Sequence, residues 1–78
     1  LENEEECYRF FEDLCTINEL QAMAQRYEVA RMLKKGDTYI AVAEKTGASS
    51  ATISRVNRCL LYGAKGYNIA IERENAEE

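Results

Sequence analysis

The sequence contains no histidine and no proline, and glycine occurs only four times in 78 residues. Its three cysteines, Cys7, Cys15 and Cys59, are an odd number and lack CxxC spacing. Because histidine is also absent, the sequence supports neither a disulfide framework nor a zinc site. We expect reduced cysteines that are buried as small apolar residues, with no metal and no cofactor.

The usual signatures of catalysis are missing as well. The sequence has no paired carboxylates in an apolar setting, no glycine-rich phosphate loop and no activated-cysteine motif. Nothing therefore supplies a nucleophile with its base, and we expect a protein that is not an enzyme. Cys15 or Cys59 as a redox sensor is an alternative, although residue statistics favour a buried structural thiol.

Long hydrophobic runs are also lacking. No apolar run approaches the roughly 20 residues that cross a membrane, and no charged-then-apolar signal segment opens the chain. We expect no membrane partner and a cytoplasmic location, with residues upstream of Leu1 missing from the sequence. A chain of this size predicts one domain, residues 1–78, that buries only about 60% of its unfolded surface and needs further stabilisation.

Charge is distributed unevenly along the chain, whose net charge is −4. Residues 1–20 hold seven acidic residues against one arginine, and residues 67–78 hold four against one, which gives −6 and −3. Residues 21–66 hold eight basic residues against three acidic ones, which gives +5. A local field matters more to a phosphate backbone than the total charge, so the middle of the chain is the candidate for nucleic-acid contact. The acidic ends are expected to aid solubility.

The four glycines lie where helices are expected to end, which predicts an all-α domain. Apolar residues at three- and four-residue spacings predict an acidic amphipathic helix over about 4–15. Thr16 and Glu19 have the spacing of a capping box, and a second helix is expected from Ile17 to the basic pair before Gly36. A last helix is expected after Gly66, and the acidic tail 75–78 is expected to fray.

The segment from about 38 to 61 has the layout of a helix-turn-helix. Thr38 can cap the first helix, and Gly47 suits the left-handed conformation that ends it. Ser49 or Ser50 can cap the second helix, whose apolar positions are spaced to meet those of the first beneath the crossing. The sequence therefore predicts a DNA-binding motif.

The exposed face of the second helix carries hydrogen-bond donors and no acidic residue. Hydroxyl groups near a helix N-terminus can donate hydrogen bonds to phosphates and base edges. Arginine can form two parallel hydrogen bonds with guanine or bind a phosphate. Phosphate contacts are expected from Lys34, Lys35 and Ser49. Base or backbone contacts are expected from Ser50, Ala51, Thr52, Ser54, Arg55 and Arg58.

With the helices assigned, TINELQAMAQRYEVARMLKKG and TGASSATISRVNRCL together resemble the Trp repressor superfamily, and more closely its YerC/YecD-type branch. ATISR is the most distinctive piece. The resemblance implies an intertwined, all-α homodimer whose two recognition helices reach successive major grooves of double-stranded DNA. The apolar stripe of Phe10, Phe11 and Leu14 independently needs a covering surface, which either a second subunit or intrachain packing could supply.

The same resemblance implies a ligand pocket that this sequence alters. In tryptophan-binding members the ligand lies between two arginines, with a threonine near the start of the long central helix, and Arg26, Arg55 and Thr16 match these positions. Those members have glycine where this chain has Val56, and a serine for the ligand's amino group where it has Cys59. Overpacking costs about 1–3 kcal/mol, so we expect a vestigial, filled pocket and no tryptophan corepressor.

Three functions remain open at this point. The favoured one is a sequence-specific transcriptional regulator, with repression as its expected action and its effector unknown. The second is a protein–protein interaction module on a helix-turn-helix scaffold, supported only by the overall acidity. The third is a tryptophan-dependent repressor.

Overall fold

The computed structural model describes residues 2–76, which form five α-helices and no strand. The all-α prediction is thereby confirmed. The helices are α1 (Glu4–Leu14), α2 (Ile17–Lys35), α3 (Tyr39–Thr46), α4 (Ser50–Tyr62) and α5 (Gly66–Ala76). Of the tail expected to fray, residues 75 and 76 belong to α5, and residues 77 and 78 lie outside the described part of the chain.

The ends of α2 follow from its sequence. The Thr16 hydroxyl accepts from the Glu19 backbone N–H at 3.1 Å, and the Glu19 carboxylate accepts from the Thr16 N–H at 2.8 Å. Two backbone donors that would otherwise be unpaired are thus satisfied. At the other end, Gly36 adopts φ 105°, a left-handed conformation that suits glycine. The predicted capping box is present at the start of α2, and Gly36 ends the helix as predicted.

The core lies where α2 crosses the helix-turn-helix and α5. All nine buried residues of the described chain are apolar, and no buried side-chain polar atom there lacks a hydrogen-bond partner. They are Val29, Ala30, Met32, Val42, Ala48, Ile53, Val56, Leu60 and Ile71. Apolar burial of this kind supplies most of the folding free energy, but a nine-residue core is small.

Polar contacts attach α5 to α2 and α4. The Tyr27 hydroxyl donates to the Glu74 carboxylate at 2.7 Å, and Arg31 pairs with the same carboxylate at 3.2 Å. This hydrogen bond raises the pKa of Tyr27. The side chain of Asn68 donates to the Leu60 carbonyl at 3.1 Å, so it also caps the end of α4.

Helix α1 is separate from this core. No Cα atom of α1 comes within 8 Å of a Cα atom of another helix, and none of its residues is buried. Phe10, Phe11 and Leu14 are 48%, 47% and 62% exposed. The apolar stripe read from the sequence is therefore present, but packing within one chain does not cover it.

The cysteines differ from the prediction. All three are free, as expected, but Cys7 and Cys15 are only half-buried and Cys59 is exposed. The reason is their location: the first two lie on or beside the unpacked α1, and Cys59 lies on the flank of α4 away from the core. The residue statistics that favour buried cysteine assume a packed face at each position.

Candidate nucleic-acid interface

The helix-turn-helix is built from local signals that the sequence carries. The Thr38 hydroxyl accepts from the Ala41 N–H at 3.1 Å, and Gly47 ends α3 with φ 74° while its N–H donates to the Ala43 carbonyl. The Ser49 hydroxyl accepts from the Thr52 N–H at 3.2 Å. Of the two candidate serines, Ser49 is thus the cap and Ser50 is the first residue of α4.

Apolar packing beneath the crossing sets the position of α4. Val42 of α3 and Ile53 and Val56 of α4 are each no more than 1% exposed. The small side chain of Ala43 is partly buried against this cluster, which lets the two helices approach closely. Because these residues occupy one face of α4, its other face must point to solvent.

That outward face carries most of the predicted DNA-contacting residues. Ser50, Ala51, Ser54, Arg55 and Arg58 are exposed, and Thr52 is half-buried. A hollow of about 320 Å³ is lined by Ala51, Ser54, Arg55 and Arg58. Within the described residues, neither arginine is ion-paired to a carboxylate. Two guanidinium groups without a carboxylate partner, on the same face of α4 as Ala51 and Ser54, make this surface a good match for anions.

The two predicted lysines lie elsewhere. The Lys34 ammonium donates to the Asn68 side chain of α5 at 2.6 Å, and Lys35 lies 3.4 Å from the Asp37 carboxylate. Lys34 and Lys35 also line a different hollow, between α2 and α5. The structure therefore brings together the α4 residues and Ser49, but not the lysines.

The predicted vestigial tryptophan site is only partly assembled within one chain. Arg26 and Arg55 line a common hollow of about 220 Å³ together with Val56, Cys59 and Tyr67. Thr16 is not among its lining residues, because it caps α2 ten residues before Arg26, about 15 Å away along the helix. Val56 is 1% exposed and belongs to the core, so its methyl groups occupy space that glycine would leave open.

One residue beside the motif, Gln25, could not be identified from the sequence. The Gln25 side chain of α2 donates from Nε2 to the carbonyl of Thr46, the last residue of α3, at 3.1 Å. Twenty-one residues separate the two partners, so no local spacing pattern could have revealed this contact. It ties the long helix to the turn that precedes α4.

Other kinds of site find little support in residues 2–76. No group of three or more cysteine, aspartate and glutamate side chains is arranged there to hold a metal ion. None of the five helices combines the length and the apolar character that a membrane crossing requires.

Comparison with known proteins agrees with the fold and the motif. The family model described as Trp repressor protein matches residues 1–75. The uncharacterized protein YerC of Bacillus subtilis is 60% identical over 78 residues, which are 100% of this chain and 75% of YerC.

Two crystal structures are also similar. A candidate Trp repressor from Staphylococcus aureus gives a TM-score of 0.82 at 53% identity, over 96% of this chain and 75% of that one. A TrpR-like protein from Eubacterium eligens ATCC 27750 gives 0.83 at 57% identity, over 96% and 77%. With its helix-turn-helix and its match over nearly its whole length, this chain belongs to the Trp repressor protein family.

Proposed function

We propose that this protein is a sequence-specific DNA-binding regulator of transcription that acts as a repressor. The observation that carries the proposal is the outward face of α4, which is exposed and free of acidic residues. It carries two arginines that no carboxylate of residues 2–76 neutralises. An α-helix fits the major groove of B-DNA, and arginine recognises guanine O6 and N7 there by two parallel hydrogen bonds.

In the proposed complex, α4 enters the major groove with its N-terminal end leading. Ser49 and Ser50 lie at that end, where unpaired backbone N–H groups and hydroxyls can bind phosphate oxygens. Ala51, Thr52 and Ser54 face base edges, with the alanine methyl suited to a thymine methyl group. Arg55 and Arg58 bind guanine or phosphate, whereas Lys34 and Lys35 add only long-range attraction.

The active unit is proposed to be a homodimer. On helix α1, Phe10, Phe11 and Leu14 are about half exposed or more, and the other described residues leave them uncovered. An intertwined partner would cover them and would present two copies of α4 about one DNA turn apart. The family provides the precedent for a homodimer, and the exposed apolar stripe of α1 provides the physical reason for one.

Tryptophan is not expected to control this regulator. Val56 occupies the core-facing position beside Arg55, and Cys59 stands where a serine would bind the amino group of tryptophan. Val56 places two methyl groups where glycine would leave room for an indole ring, and close-packed interiors tolerate such overpacking poorly. DNA binding should consequently be the same with and without the amino acid.

The test is selection of bound duplexes from a random DNA pool, with and without free tryptophan. We expect one recovered motif with two half-sites spaced by about one helical turn, unchanged by tryptophan. Unspaced, random recovery would contradict the proposal and favour a protein-interaction module. A motif recovered only in the presence of tryptophan would contradict the proposal that DNA binding does not depend on tryptophan.

Salt dependence provides a second criterion. For the selected duplex, the logarithm of affinity should fall linearly with the logarithm of salt concentration, with a slope of roughly −0.9 for each phosphate contacted. A flat response would mean that counterion release does not drive binding, and it would argue against a phosphate-binding α4.

A further inference from the structure

The link between α2 and the helix-turn-helix is almost entirely apolar. Helix α2 packs against α3 and α4 through Val29, Ala30 and the cluster around Ile53, all of which are buried. Apolar burial favours contact but is non-directional, so it holds two helices together without fixing their relative rotation. Reading bases, by contrast, requires side chains held to within about 0.5 Å and 10–20°.

One directional hydrogen bond also connects α2 to the helix-turn-helix and can fix their relative rotation. Within residues 2–76, the contact from Gln25 Nε2 to the Thr46 carbonyl is the only hydrogen bond between α2 and the unit formed by α3, the turn and α4. The other long-range hydrogen bonds and ion pairs of α2 run to α5 instead, through Tyr27, Arg31 and Lys34.

The partner of Gln25 is the last residue of α3, whose side chain makes hydrogen bonds on both sides of it along the chain. Thr46 donates its hydroxyl to the Val42 carbonyl at 2.7 Å and accepts from the Ala48 N–H at 3.2 Å. Ala48 is itself 6% exposed, and Ser49, the cap of α4, follows it directly. A constraint applied at the Thr46 carbonyl is thus transmitted through two residues of backbone to the start of the recognition helix.

We propose that Gln25 is a positioning residue, whose hydrogen bond to Thr46 orients α4 for base recognition without itself touching DNA. This inference rests on the proposed function. Losing the bond should leave the phosphate contacts largely intact, because long arginines bind a charge from many angles. Base contacts should weaken, because they tolerate little rotation.

The test compares Gln25→Met with Gln21→Met. Both changes replace an α2 amide by an unbranched apolar side chain of similar length, but Gln21 is exposed and its side chain makes no hydrogen bond in the described structure. For Gln25→Met we expect the affinity ratio between the duplex selected by the unmodified protein and a scrambled duplex to fall about fivefold, the effect of one net hydrogen bond of about 1 kcal/mol. Affinity for the scrambled duplex should not change, and Gln21→Met should match the unmodified protein.

A rescue variant distinguishes a positioning role of Gln25 from a general effect on protein stability. Gln25→Lys keeps a donor at this site, beside the negative end of the α3 dipole, and should restore most of the ratio. Equal loss of affinity for both duplexes in Gln25→Met, or a ratio unchanged from the unmodified protein, would overturn the proposal.

A measurement without DNA keeps the two proposals apart. In Gln25→Met, the backbone amides of Gly47, Ala48 and Thr52 should exchange with solvent about fivefold faster, while that of Ile69 in α5 should not change. If the unmodified protein selected no DNA sequence, the proposed function would fail. Exchange at the turn would still decide whether Gln25 orders it, and unchanged exchange there would overturn that assignment.

Discussion

At the residue scale, the arginines of this chain fall into two kinds. Arg9 and Arg31 are held by carboxylates, Arg9 by Glu5 at 2.9 Å and Arg31 by Glu28 at the same distance. Arg26, Arg55, Arg58 and Arg73 have no such partner within the described residues, and of these only Arg55 and Arg58 lie on α4. An arginine that is already paired must give up its carboxylate to bind a phosphate, so the unpaired ones are better suited to DNA.

Substitution of Arg55 by alanine should weaken DNA binding. If it forks onto a base, we expect a loss of about 1–3 kcal/mol in discrimination at one operator position. If it binds phosphate, the loss should be equal on all sequences and the salt slope should shrink by about one. Titration of selected and scrambled duplexes at several salt concentrations distinguishes these results. Arg73→Ala, which removes the same charge from α5, is the control and should change neither quantity.

At the element scale, the turn before α4 depends on a glycine conformation. Gly47 has φ 74°, and an added Cβ would meet no atom within 4 Å, so the cost of a side chain there is purely conformational. Placing alanine in a left-handed conformation costs about 1–2 kcal/mol. Gly47→Ala should therefore lower the free energy of unfolding by about 1 kcal/mol, measured by urea denaturation.

Gly66→Ala is the matched control for that change. Gly66 begins α5, its φ is not in the left-handed region, and the space around its Cβ position is equally open. Alanine restricts the unfolded chain and favours a helix, so Gly66→Ala should leave stability unchanged or raise it by up to about 1 kcal/mol. Equal destabilisation by both substitutions would argue that the conformation of Gly47 is not the cause.

The capping box of α2 predicts a dependence on pH. Hydrogen bonds from the Thr16 backbone and side chain lower the pKa of Glu19 in the folded protein. Folding therefore favours the ionised carboxylate. The resulting stabilisation is present above the unfolded-state pKa and is lost as pH falls through the lower folded-state pKa.

Glu19→Gln should remove this part of the acid sensitivity, because an amide still caps the helix but does not titrate in this range. The measurement is the free energy of unfolding from about pH 7 to about pH 3 for both proteins. The two curves should converge at the acid end. Glu44→Gln, which alters an exposed carboxylate without a hydrogen-bond partner in the described chain, should run parallel to the unmodified protein.

At the scale of the whole molecule, one helix has no role in the fold of a single chain. Helix α1 contributes no residue to the core cluster, yet it carries two aromatic rings in edge-to-face contact at 5.6 Å and Leu14 beside them. An isolated 11-residue helix is marginal in water, so its apolar stripe needs a covering surface if the helix is to persist. A second copy of the chain is the proposed source of that surface.

The double substitution Phe10→Asp and Phe11→Asp should abolish the proposed dimer. Light scattering should give about twice the 8.9 kDa chain mass for the unmodified protein and a value near one chain mass for the variant. Ile40→Asp, which changes an exposed apolar residue of α3, should retain the larger mass. A single-chain mass for the unmodified protein would contradict the dimer, and with it the paired recognition helices.

The charge balance also acts at this scale. Most acidic residues of the described ends lie on α1 and α5, whereas Arg55 and Arg58 lie on α4 between them in sequence. A total charge of −4 therefore coexists with a local surface that attracts phosphate.

The helices and their caps could be predicted from the sequence because their causes are local. The Thr16–Glu19 pair and the left-handed glycines act within a few residues of chain, and Val42, Ile53 and Val56 lie within one short helix-turn-helix. The same local signals predicted most of the α4 surface, since burial of one face determines which residues point outward.

What only the tertiary structure decided is which side chains meet across helices. In the folded chain, Lys34 donates to Asn68 and Gln25 donates to Thr46, 21 positions further along the sequence. Cys59 is exposed, and α1 is not covered by another helix. Such contacts depend on the angles and positions at which helices cross. Helix periodicity determines which face of a helix a residue lies on, but not which other helix packs against that face.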